Sequence, residues 1–133
     1  RIAEAGVYDI GRAAAFGLHH HASGGRSSLS AHYTAAYGRI AFDRTLRART
    51  VFAEHSLATD AVFAEVQLVT CRNVLIYFQR RLQDRALGLF ADALPAQGVL
   101  GLGLRESLRF TAHAPTFRDL VPAVRLYLRQ GAR

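Results

Sequence analysis

Arg72, Asn73 and Tyr77 stand together at the end of an apolar run, and their side-chain types suit a small polar ligand. Arg72 offers a planar fork of donors for a carboxylate or phosphate, and Asn73 offers donors and an acceptor on a short side chain. A small zwitterionic or heterocyclic ligand can use both. Tyr77 adds a ring that can cover a ligand and a hydroxyl that can orient a polar atom. A purely structural account stands beside this one, with Arg72 on a local carboxylate, Asn73 capping a turn and Tyr77 in the core. The residues point to a site and leave its reaction open.

The surrounding pattern predicts how such a site is carried. Val66, Leu68, Val69, Thr70 and Cys71 read as a central strand covered on both faces. After Gln79, the residues Leu82, Ala86, Leu89, Phe90, Ala93 and Leu94 recur at near-helical spacing, while Arg80, Arg81, Gln83, Asp84 and Arg85 mostly take the other face. Pro95 and Gly98 stop this helix, and Val99 to Leu104 reads as a second apolar strand. The result is a strand, helix, strand unit with Arg72 and Asn73 at a carboxyl strand end, where open parallel sheets bind ligands.

Cys71 to Phe78, CRNVLIYF, resembles the signature of the CheR-type chemotaxis-receptor methyltransferases, which transfer a methyl group from S-adenosylmethionine to receptor glutamate side chains. Ala5 to Tyr8 is similar to a further segment of that family, and Val51 to Leu57 to its third strand and the turn beyond. Glu106 to Leu108 and Val124 to Leu128 are similar to its Ser-Glu-Ser segment and final strand.

The resemblance implies an α/β, partial Rossmann-like class I S-adenosylmethionine-dependent methyltransferase fold, lacking the first strands and the Gly-rich loop. Residues 1–133 would be a truncated catalytic domain, with 6–50 a remnant of the family's inserted small β-subdomain. Tyr77 would lie beside the transferred methyl as the catalytic residue, with Arg72, Asn73, Ser56 and Leu57 binding the cofactor. Ser56 stands where the family has Asn, and Gln67 where it usually has Asp. On this reading the complete parent methylates receptor glutamates, whereas the isolated chain, with half the cofactor surface missing, is inactive. The alternative is a noncatalytic methyltransferase-like signalling or protein-interaction module.

The chain has 133 residues, 50% of them hydrophobic, enough for one core. Its charge of +7, with Arg as the basic residue throughout, suits an acidic protein surface. By resemblance the partner is the cytoplasmic region of a chemotaxis receptor or a related signalling protein. The Arg residues are dispersed without a nucleic-acid-binding motif, so nucleic acid is the weaker reading. Cys71, the single cysteine, fits burial in a reducing cytoplasm, and no apolar run reaches the roughly 18 residues of a membrane helix.

No metal is expected. His19, His20 and His21 would diverge on a regular helix or strand, so at most a loop could converge them, and they read as an exposed polar run. Arg12 to Leu18 predicts a short helix, Ser23 to Ser28 a connection, and Gly38 to Phe42 and Leu46 to Phe52 remnants of β-structure. Tyr8, Tyr33, Tyr37 and Tyr127 are expected in packing, and Glu106-Ser107 as a brace for the last hairpin.

Overall fold

Alternation of apolar and polar residues organises the first part of the chain into a small antiparallel sheet. The computed structural model describes residues 1–62 and 64–131, so the last two positions of the expected 1–133 domain lie outside it. The chain divides into two compact units, Arg1–Glu54 and His55–Arg133. In the first, α1 (Ile2–Ala5) leads to β1 (Val7–Asp9), a 3-10 turn and α2 (Ala13–Ala22). β2 (Tyr33–Ala36), β3 (Arg39–Phe42) and α3 (Arg44–Arg47) follow. The sheet order is β1-β3-β2, with both pairings antiparallel. Ile40 of β3 is fully buried, and Phe42 meets both Tyr8 and Tyr33 edge to face at 5.8 and 5.9 Å. Such pairs add about 0.5–1.5 kcal/mol beyond their buried area.

The second unit is built on β4 (Leu68–Cys71), α4 (Arg80–Ala93) and β5 (Val99–Leu102), with β4 and β5 parallel as a strand, helix, strand unit requires. β6 (Phe117–Val121) and β7 (Leu126–Arg129) complete a mixed sheet in the order β4-β5-β7-β6, in which β7 runs antiparallel to both neighbours. This is an α/β arrangement with a mixed sheet, consistent with the partial Rossmann-like fold that the resemblance implies. The apolar stripe of α4 puts Ala86, Leu87, Phe90 and Ala91 against Leu100, Leu102, Phe117 and Tyr127 of the sheet. Leu87 and Leu100 are essentially inaccessible, each contributing about 2 kcal/mol of burial. Leu94 closes the helix into the same core, and Pro95 prevents another turn.

Several expectations are corrected. Val51 and Phe52 form no strand: Val51 is 93% exposed and no described strand pairs with the segment, so its backbone has no ladder to join. Leu46 to Phe52 likewise gives no β-structure, because α3 takes up Leu46 and Arg47. β4 lies at the edge of the described sheet, not at its centre, and Leu68 is 58% exposed. The strand expected at Val99 to Leu104 ends at Leu102, where the Gly103 backbone turns away to meet Glu106. The last strand begins at Leu126 because Pro122–Val124 forms a 3-10 turn and Arg125 adopts a left-handed conformation. His19, His20 and His21, the expected polar run, lie inside α2, where consecutive side chains splay apart and His19 and His21 are exposed. Tyr37 packs against nothing: it is fully exposed at the tip of the β2–β3 hairpin.

Candidate functional site

The polypeptide leaves β4 through a sharp turn made by Asn73, which holds φ at 60°, a left-handed conformation that Asn tolerates better than most residues. This aims successive backbone N–H groups inward at one carboxylate. Asn73 N–H donates to Glu106 Oε2 at 3.1 Å, while Val74 and Leu75 N–H donate to Oε1 at 2.9 and 2.8 Å. Gly103 N–H, from the end of β5, donates to Oε2 at 2.7 Å. Glu106 is 4% exposed, so one buried anion gathers four backbone donors from two strand ends. Hydrogen bonds to an ionised acceptor are about twice as strong as neutral ones.

The far side of the loop is held from α4. Gln83 Nε2 donates to the carbonyls of Leu75 and Phe78 at 2.9 and 3.0 Å, bracketing the 3-10 turn Leu75–Tyr77. Leu75 is buried beneath it. Tyr77, by contrast, is 81% exposed, and its hydroxyl makes no hydrogen bond with a described residue. Arg72 is also exposed, without a hydrogen bond or ion pair to a described residue. Two polar groups are thus left available on a loop that is otherwise fastened on both sides.

The turn after His55 is tied to the same helix. Arg85 donates from Nε to the Ala58 carbonyl at 2.6 Å and from Nη2 to the Asp60 carbonyl at 2.9 Å. Ser56 N–H donates to the Asp60 carboxylate at 2.8 Å, and this bond, followed by one from Thr59, lowers the Asp60 pKa. Ala58 and Tyr77 consequently line one open groove of about 590 Å³, together with Gln79, Arg81 and Arg85. Leu57 faces a different, mainly apolar cavity of about 260 Å³, with Val66, Leu68, Val69 and Phe90. Ser56, Arg72 and Asn73 line neither. The five expected site residues therefore lie on two fastened turns, with Leu57 and Tyr77 on separate cavities.

Sequence pattern assigns Gln83 and Arg85 only to the polar face of α4. Their partners are backbone carbonyls, which carry no residue-type signal. The expectation that Glu106 braces the last hairpin is corrected in its target: the carboxylate braces the β4 and β5 ends.

Gly103 is where this brace leaves no room. A Cβ there would stand 2.9 Å from both the Asn73 nitrogen and Glu106 Oε2, and would collide with Asn73 Oδ1. Gly103→Ala is therefore expected to cost about 1–3 kcal/mol, read as a lower urea midpoint. An unchanged midpoint would show that the turn can yield.

Cys71, 7% exposed beside this carboxylate, has its thiol pushed up from 9.0 to about 11, first by burial and then by the negative charge of Glu106. The folded state keeps its proton where the unfolded thiol has lost it. Stability is undiminished below about pH 9 and falls as pH rises toward about 11. Urea midpoints across that window should decline more steeply for the wild type than for Cys71→Ala. Parallel declines would remove Cys71 as the cause.

Comparison with known proteins matches a family model, CheR methyltransferase, SAM binding domain, over residues 11–120. The chain belongs to this family. It is 47% identical over 125 residues to the Pseudomonas putida protein named "Putative methyltransferase Cher3", covering 94% of this chain and 46% of that protein. A Listeria innocua protein named "Chemotaxis protein methyltransferase" is 42% identical over 57 residues, 43% of this chain and 22% of the relative. An "Uncharacterized 104.1 kDa protein in hypE 3'region" of Rhodobacter capsulatus is 40% identical over 80 residues, 60% of this chain and 8% of the relative. The chain thus spans at most about half the length of these relatives. Membership brings a methyltransferase and chemotaxis-signalling context, and links the chain to S-adenosylmethionine through its domain. Among the described residues no helix is long and apolar enough to cross a membrane, and no cluster of three or more His, Cys, Asp or Glu could hold a metal.

Proposed function

We propose that the protein carrying this chain transfers a methyl group from S-adenosylmethionine to glutamate side chains in the cytoplasmic region of chemotaxis receptors. The observation that carries this reading is the loop after β4, fastened by Glu106 and Gln83 while Arg72 and Tyr77 keep their polar groups free of partners among the described residues. Such groups suit a polar ligand.

The cofactor, when bound, supplies a methyl group on a sulfonium that a carboxylate oxygen can attack. Arg72 supplies a guanidinium fork for the cofactor's carboxylate, and Asn73 a directional amide beside it. Leu57, on its apolar cavity, offers a surface for the adenine ring, and Ser56 precedes it on the same turn. Tyr77 orients the reacting carboxylate. A glutamate is already ionised near neutral pH, so positioning is the main demand and no strong base is needed. Arg81 and Arg85 on the Tyr77 groove favour an acidic segment of the receptor.

Residues 6–50 represent the family's small β-subdomain on this reading, a role supported by the antiparallel β1-β3-β2 sheet. The buried free thiol of Cys71 supports a cytoplasmic setting. The second reading, a noncatalytic methyltransferase-like module, draws on Ser56, whose backbone N–H is already engaged by Asp60.

Incubating the parent protein with methyl-labelled S-adenosylmethionine and a receptor cytoplasmic fragment separates the two. Label on the receptor that alkali releases as methanol marks a glutamyl ester and supports the enzyme. A parent that binds the receptor without transferring label is the module.

A further inference from the structure

A second groove, of about 360 Å³, opens where β6 and β7 meet the loop after Glu106. Its polar lining is Ser107, Arg109, Arg118, Asp119, Arg125 and Tyr127, none of which lines the Tyr77 groove. Arg109 and Arg118 are exposed, and their guanidinium groups make no hydrogen bond or ion pair with a described residue. Arg125 engages only its Nε, on the Leu104 carbonyl at 3.3 Å. Asp119 shares the groove and pairs with none of the three.

Tyr127 is the telling member. It is 6% exposed, yet its hydroxyl makes no hydrogen bond with a described residue, whereas buried phenols ordinarily find a partner. The hydroxyl is absent from the sealed, unpartnered side-chain atoms of the described residues, which are Arg47 Nε and Asp84 Oδ1. Tyr127 itself lines the arginine-bearing groove.

We propose that this groove binds the phosphate of a phosphate monoester, with the Tyr127 hydroxyl donating from below and the Arg109, Arg118 and Arg125 guanidinium groups closing around the oxygens. Three guanidinium groups and one carboxylate leave the lining two charges positive, which matches a phosphate dianion better than a single carboxylate. A nucleotide and a phosphorylated side chain of a partner protein share that terminal group. The site is independent of methyl transfer, and its failure would leave the reading of the Tyr77 loop standing.

The test is calorimetric titration of the protein with inorganic phosphate, adenosine monophosphate and a phosphoserine peptide, above neutral pH and at constant ionic strength. Saturable one-site phosphate binding is expected. Arg118→Ala should weaken it about tenfold through loss of a charge-assisted hydrogen bond, and Tyr127→Phe should weaken it with little change in melting temperature. Arg81→Ala, in the other groove, should leave it unchanged. Tighter binding of the nucleotide or of the peptide than of phosphate supports the site and assigns its source. Absence of saturable phosphate binding overturns the proposal, as does equal weakening by Arg81→Ala and Arg118→Ala, the mark of diffuse attraction to a basic chain.

Discussion

Glu106→Gln is expected to lower stability by about 3 kcal/mol, roughly 10 °C in Tm for a domain of this size. The wild-type carboxylate only accepts, and it faces only donors: Asn73 and Gly103 N–H on Oε2, Val74 and Leu75 N–H on Oε1. A glutamine amide fills the same volume but must turn its NH2 toward one of these pairs. Donor would then face donor in a site that is 4% exposed, and two backbone groups would lose their acceptor. Loss of the charge weakens the remaining pair as well. Thermal unfolding of Glu106→Gln, beside the exposed-site control Glu4→Gln, measures this. A shift no larger than the control's would mean that water or a rearranged turn replaces the brace.

Tyr77→Phe should have the opposite signature, an activity loss without a stability loss. Its hydroxyl has no partner among the described residues and the side chain is 81% exposed, so unfolding should move by less than about 0.5 kcal/mol. If the hydroxyl orients the reacting carboxylate, methyl transfer by the parent protein should fall on the order of 100-fold, the scale at which misplacing a reacting group costs rate. The loss should appear in kcat more than in KM. Full turnover by the variant would leave the ring as a packing surface and remove Tyr77 from the chemistry.

The two effects trace to different levels of legibility. The β4-α4-β5 unit was readable because each element writes its own period: Leu82, Ala86, Leu89, Phe90 and Ala93 mark a helix face, and Val99 to Leu102 a buried strand. Arg72, Asn73 and Tyr77 were readable as a group because they are neighbours in sequence. Glu106 reaches three of its four donors across 31 to 33 residues, a separation at which a carboxylate has no pattern to announce its partners. Gln83 and Arg85 act on carbonyls, which every residue possesses. Val51 and Phe52 show the reverse error. Their likeness to the family's third strand suggested one, but a strand exists only with a neighbour to bond, and local sequence cannot supply one. Tyr37 looked like a packing residue by type, yet its φ of 52° at a hairpin tip turns it to solvent.

If the loop after β4 holds the cofactor, calorimetric titration of S-adenosylmethionine into the longest protein carrying these residues, wild type and Arg72→Ala, each with its melting temperature, reads it directly. A cofactor-holding loop requires saturable one-site binding by the wild type and at least about tenfold weaker binding by the variant, from loss of a charge-assisted hydrogen bond, at nearly unchanged stability. Absence of binding by the folded wild type, or equal affinity in the variant, would contradict it.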